Sequence, residues 1–172
     1  MIWTELPELP IFFERYIRKV PEITLQDALK QYTPTAIMAE VEKLKQLGDK
    51  IYAPEKWNIK QILQHCIDTE KIMSYRALAF ARKDETNLPG FDENAYASHA
   101  DVSKRTVEDL LEEWEVVRAQ NLIFFQHLTE EQLHFKGNAN RVTISAFELG
   151  YVMVGHAIHH KNIIIDRYFP LL

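Results

Sequence analysis

Asn58-Ile59-Lys60-Gln61-Ile62-Leu63-Gln64-His65-Cys66-Ile67-Asp68-Thr69-Glu70-Lys71-Ile72-Met73 decides the fold class. Ile59, Ile62, Leu63, Cys66 and Met73 recur at helical spacing, which gives the segment one apolar face. Asn58 is a favourable N-cap, and Gln61 stands at the capping-box position. The pattern continues to about Arg82 and predicts a helix roughly 37 Å long at 1.5 Å per residue.

Reading outward from this segment adds three more long helices. Toward the N-terminus, past a loop with Pro54 and Trp57, a helix is expected from about Thr35 to Leu47. Its apolar face is Ile37, Val41, Leu44 and Leu47, and Gly48 is its stop. Residues 1–33 contain Pro7, Pro10 and Pro21 as breakers. They fit two short helices, about 11–19 and one starting at the Thr24 N-cap with Asp27 three residues on. This region reads as an arm packed across the bundle.

Toward the C-terminus, Lys83–Arg105 carries Pro89-Gly90 and reads as a long connection that crosses the bundle or lies over a site. Thr106 with Asp109 opens a third helix that ends near His127, with Leu110, Trp114, Val117 and Asn121 on one face beside Leu111. Thr129–Arg141, with Gly137, is a second connection. The fourth helix is expected from near Thr143 to about Arg167, before Pro170. No useful stretch alternates with period two. The expectation is an all-α four-helix bundle with an N-terminal helical arm, residues 1–172 forming one domain.

Composition narrows the function classes. The chain has 172 residues, 47% hydrophobic and 26% charged, which suits an ordered domain with a sizeable core. A net charge of −5 gives no bulk attraction to phosphate backbones, so no nucleic-acid partner is expected. No apolar run reaches a membrane span and the N-terminus does not read as a signal peptide, so no membrane partner is expected. Cys66 is the only cysteine. No internal disulfide can form, which suits a reducing, cytoplasmic setting.

The chemistry is concentrated in histidines. Gly155-His156-Ala157-Ile158-His159-His160 places His156 and His160 four residues apart, on one face of the fourth helix. Leu149, Val152, Ile163 and Ile164 flank them, so the pair lies on an inward-facing apolar line. Two unpartnered imidazoles are costly there, and one metal ion would satisfy both. His65, mid-way along the second helix, is the candidate third ligand, although a lone histidine there is more often a hydrogen-bonded core or boundary residue than a ligand. Three imidazoles would leave a coordination position open for water or substrate.

His159 is the rival of the pair. It sits about 100° around the helix from His160 and would replace a ligand rather than join the set. Asp68, three residues after His65, reads either as a solvated carboxylate or as the catalytic group that orients an imidazole or takes a proton from bound water. Glu70 is less favourably directed. Cys66 points away from His65 into the core. His99, His127 and His134 fall in or near connections and read as ordinary polar residues. Trp57, Trp114 and the tyrosines read as packing, with Tyr96 in reach of a site from the long connection. His-Glu-x-x-His, Gly-x-Ser-x-Gly, dinucleotide, phosphate-loop and di-iron signatures are all absent.

In Lys56-Trp57-Asn58 through Glu70, Phe91-Asp92-Glu93-Asn94-Ala95-Tyr96-Ala97, Gly155 through His160, and Phe12-Phe13-Glu14-Arg15-Tyr16-Ile17 with Val20-Pro21, the chain resembles the DinB-like (DinB/YfiT) superfamily of metalloenzymes. Asn58 stands where many of that family have Ser or Thr. The resemblance implies an up-down-down-up bundle, a divalent metal held by His65, His156 and His160, and homodimers. Zinc and nickel are the metals it favours. It further implies a small-molecule substrate and, as first expectation, a transferase using a low-molecular-weight thiol co-substrate, with Asp68 beside the ligands. A metal-dependent hydrolase and a non-catalytic metal-binding stress-response protein are the alternatives.

Overall fold

The computed structural model describes all of residues 1–172. Three long helices dominate: α5 (Ile59–Ala81), α7 (Val107–Gln126) and α9 (Ala146–Ile163). Each begins at the expected kind of cap. Asn58 and Gln61 form a reciprocal capping box on α5, and Thr106 and Asp109 do the same on α7. Ser145 and Glu148 start α9, three residues later than the sequence suggests.

The fourth rod is segmented. The expected helix 35–47 is two pieces, α3 (Pro34–Ile37) and α4 (Val41–Leu47), preceded by α2 (Leu25–Gln31). Thr24 caps α2 through the Asp27 amide, and Thr33-Pro34 starts α3. Adjacent side chains on an unbroken helix point about 100° apart. The break at 38–40 lets neighbouring Ile37 and Met38 both turn into the core, each 3% exposed. Gly48 ends α4 with φ +54°, as its place after Leu47 implies.

Side-chain contacts give the directions. Along the segmented rod, Tyr32, Thr35 and Lys45 meet Arg118, Glu115 and Glu108 in turn, so it runs antiparallel to α7. Gln64, Glu70 and Ser74 meet Arg105, Trp114 and Asn121, so α5 and α7 are parallel. Trp57 meets Tyr168 and His65 meets His156, so α9 opposes α5. The order is up-down-down-up, and the long 82–106 connection is what allows two consecutive helices to run the same way.

Short elements fill the connections. The first holds α6 (Glu93–His99). The second holds α8 (Glu130–His134) and an antiparallel hairpin, β1 (Lys136–Ala139) with β2 (Val142–Ser145). Asn140 and Arg141, both at positive φ, make its two-residue turn. The strand occupies residues expected to begin the last helix, where the β-branched Val142, Thr143 and Ile144 favour extended backbone. Leu88 brackets Asn138 and Asn140 with two backbone hydrogen bonds of 2.9 Å, which ties the first connection to the hairpin. A wider π turn (Ile164–Tyr168) follows α9 where continuous α-helix is expected.

The N-terminal arm includes α1 (Glu14–Ile17), shorter than the expected 11–19, and it lies on α9. Gly155 makes this approach possible. A Cβ there would stand 2.0 Å from the Tyr16 carbonyl oxygen, and backbone cannot step aside as a flexible side chain can. Gly155→Ala is therefore expected to lose about 1–3 kcal/mol of stability in chemical denaturation, the usual range for overpacking. A variant as stable as the parent would mean that α1 is free to lift.

Two apolar clusters form the interior. One joins the arm, α2, the hairpin, the C-terminal half of α5 and the first half of α9. The other joins α4, the N-terminal half of α5, α7 and the end of α9. They meet on α5 between Ile67 and Met73 and on α9 between Val154 and Ala157, and buried polar residues gather at this seam.

Candidate metal centre

At the seam, α5 presents His65 and α9 presents His156 and His160. The Nε2 atoms of His65 and His160 each lie 3.1 Å from Nε2 of His156, and all three donors fall within 4.8 Å of one another. The three residues are 8%, 6% and 8% exposed. The i,i+4 spacing on α9 and the antiparallel approach of α5 produce this convergence. The structure thus brings together the three expected histidines.

The donor set fits one small cation. Bonds of 2.0–2.1 Å to a tetrahedral zinc place neighbouring nitrogens about 3.3 Å apart, close to the spacing here. None of the three rings has a hydrogen-bond partner other than one another. Burial pushes all three imidazoles below their ordinary value, His65 to about 4, and mutual repulsion depresses His156 and His160 further. They are neutral at pH 7, the form that binds metal.

The other expected residues lie apart. Asp68 accepts a hydrogen bond from Gln64 (2.9 Å) and lines a separate surface depression with Lys71, Tyr96 and His99. It is not the hydrogen-bond partner of any ligand imidazole. Tyr96 is exposed on α6 and faces that same depression. Cys66 is buried in the core, where burial raises its thiol pKa, so it is no thiolate donor. His159 stays outside the triad, half-buried, its ring 5.4 Å from that of Tyr16. Its pKa is lowered by burial and then by Lys19 and Arg15.

The three histidines line a cavity of about 270 Å³. The Trp57 ring lies tilted 4.7 Å from the His65 ring and the Tyr16 ring edge-on 5.3 Å from the His156 ring, so these two are site walls rather than mere packing. Phe12, Phe13, Met73, Phe91 and Val152 supply apolar surface, and Arg15, Thr69, Arg76, Glu93, Asn140 and His159 supply polar atoms. Most were missed in sequence. Thr69 and Arg76 had a usable signal, because residues 4 and 11 positions after His65 return to within about 40° of it on a helix.

The DinB superfamily profile matches residues 24–164. The chain belongs to the DinB superfamily. No curated protein matches the sequence. Among solved structures, YfiT from Bacillus subtilis, described as a probable metal-dependent hydrolase with an unusual four-helix bundle topology, superposes with a TM-score of 0.66. The two are 20% identical over 92% of this chain and 87% of YfiT. This DinB superfamily member shares the four-helix bundle, to which its hairpin is a small addition. None of its helices is long and apolar enough to cross a membrane.

Proposed function

We propose that this protein is a metal-dependent hydrolase of a small organic molecule, with His65, His156 and His160 as the ligands of one divalent ion. The observation that carries the reading is the convergence of three buried Nε2 atoms on the wall of a cavity rather than in a closed core. The described activity of YfiT agrees with it. Three imidazoles suit zinc or nickel. A divalent ion held there supplies a Lewis acid and lowers the pKa of a bound water to about 7.

The chain's own residues supply the rest. Asp68 is turned away, and two proton acceptors face the cavity, Glu93 and His159. Glu93 is exposed to solvent, so the general base is assigned to the half-buried His159, whose ring is neutral at pH 7. Trp57 and Tyr16 hold the ligand rings in place and keep bulk water from them. Thiol-dependent transfer is the rival reading. It needs substrate and thiol together, and a cavity of about 270 Å³ suits one small molecule.

Anaerobic purification with elemental analysis is expected to find one ion per chain, lost in His156→Ala and His160→Ala. Full occupancy in those variants would overturn the site. Ester, amide and phosphoester screens on metal-loaded protein are expected to show turnover without thiol. An absolute thiol requirement would replace the hydrolase with the transferase. His159→Gln should keep its metal and lose about 10²-fold in kcat, the lower range for removal of a general base.

A further inference from the structure

Two arginines are buried in this protein, and they live very differently. Arg118, 2% exposed, has the Glu70 carboxylate at 2.7 Å. Arg76, 3% exposed, pairs with no carboxylate. Its Nη2 donates to the Pro89 carbonyl at 2.8 Å and its Nη1 reaches the Met73 sulfur at 3.7 Å, leaving other guanidinium N–H groups unused. A buried charge without a counter-ion is expensive, and folding alone gives no reason to keep one.

Arg76 lines the histidine cavity, and so does a second unsatisfied group. The Thr69 hydroxyl is buried, and its Oγ1 has no hydrogen-bond partner. Helical threonines commonly return the hydroxyl to the carbonyl four residues back, and Thr69 does not. His65, Thr69 and Arg76 share one stripe of α5, with about 16 Å of helix axis between the first and the last. The Met73 contact shows the guanidinium leaning back toward the histidines, so the span a ligand must bridge is shorter. Met73, Phe91 and Val152 line the same cavity. Glu93, the one carboxylate on the wall, is exposed and pairs with neither Arg15 nor Arg76.

We infer that Arg76 and Thr69 form the subsite for the carboxylate of an amphipathic small-molecule substrate, whose apolar middle spans the cavity toward the three histidines. The planar guanidinium fork matches a carboxylate, and the hydroxyl donates one more hydrogen bond to it. This inference rests on the reading of the histidine cavity as the active site, but it makes separate demands.

Octanoate, octanamide and hexyl phosphate serve as probes in calorimetric titrations of metal-free protein. Octanoate is expected to bind at least about 10-fold more tightly than octanamide, and more tightly than hexyl phosphate. Arg76→Met should abolish the preference over the amide, Arg76→Lys should weaken it, and Thr69→Val should reduce it several-fold. Arg76→Met should also melt no lower than the parent, because it removes an uncompensated buried charge. A purely structural arginine would instead lower the melting temperature and leave the preference in Arg76→Lys unchanged. Preference retained by a folded Arg76→Met, or tighter binding of the phosphate, would overturn the inference. His156→Ala is expected to keep the octanoate preference while losing metal. If the preference needs zinc and disappears in His156→Ala, the carboxylate sits at the histidines, and the Arg76 subsite is wrong while the metal site stands. A preference intact in a protein that takes up no metal sinks the hydrolase reading alone.

Discussion

Replacing Glu70 with glutamine is expected to cost about 3–5 kcal/mol, the usual penalty for removing one partner of a buried ion pair. Glu70 is 2% exposed at the seam between the two apolar clusters. Its Oε2 accepts from Trp114 Nε1 at 2.6 Å and Arg118 Nη2 at 2.8 Å; its Oε1 accepts from Arg118 Nε at 2.7 Å and Asn121 Nδ2 at 3.1 Å. Four donors thus converge on one carboxylate and bind α5 to α7. Arg118 also donates to the Tyr32 carbonyl at the end of α2, so the segmented rod joins the same network. An amide in place of the carboxylate presents N–H groups to donors and leaves the guanidinium charge uncompensated in the core. For a chain of this size the loss corresponds to roughly 6–20 °C in melting temperature. Arg118→Met should also destabilise, and the Glu70→Gln/Arg118→Met double variant should lose less than the sum of the singles, because the second change removes the charge the first one strands. A Glu70→Gln protein melting within 2 °C of the parent would show that the network contributes little.

This network shows where a single sequence stops being readable. Glu70 points away from the histidine face, as its position on the helix implies, but its partners lie on another helix and no local pattern announces them. Val117 was expected on the buried face of α7, yet Arg118 is the residue buried there beside Trp114 and Asn121. An arginine among buried positions asks for a carboxylate on a neighbouring helix, and that was the available clue. The caps were legible because they are local: Thr24, Asn58 and Thr106 each bond the residue three positions on. The break at 38–40 was not, since it is set by packing against distant elements; the hairpin carried a local signal in the β-branched Val142, Thr143 and Ile144, which an expected helix start near Thr143 passes over. The hairpin lies on the Phe80 ring, where a Cβ at Gly137 would come within 2.1 Å of it. His156 and His160 were legible as an i,i+4 pair. His65 needed its facing helix, which spacing within α5 does not provide.

Acidification of the metal-free protein is expected to remove a comparable amount of stability, with the histidine cluster as the cause. The folded state holds His65 at about 4 and pushes His156 and His160 well down, first by burial and then by neighbouring imidazoles. The unfolded chain protonates them near 6.5. Below pH 6.5 the unfolded state therefore binds more protons than the folded one, and stability falls as pH falls. The contribution is complete above pH 6.5 and, for His65, is lost progressively down to about pH 4. The 2.5-unit gap for His65 alone corresponds to about 3 kcal/mol, and the other two add to it. Chemical denaturation at pH 7 and pH 5 should show the fall, and a folded His65→Phe variant should have a shallower slope. The same neutrality makes a second demand on the metal site. Because the folded imidazoles are already unprotonated at pH 6.5, zinc uptake there should release well under one proton, all of it from metal-held water of pKa about 7, which calorimetry in buffers of different ionisation enthalpy reads directly. Release of two or three protons would show that the cluster is charged before metal arrives. Bound zinc favours only the folded state and adds about 4 kcal/mol when free metal is 1,000 times its dissociation constant. The acid transition of the loaded protein should accordingly move to lower pH, and His156→Ala should remove that difference between loaded and metal-free protein.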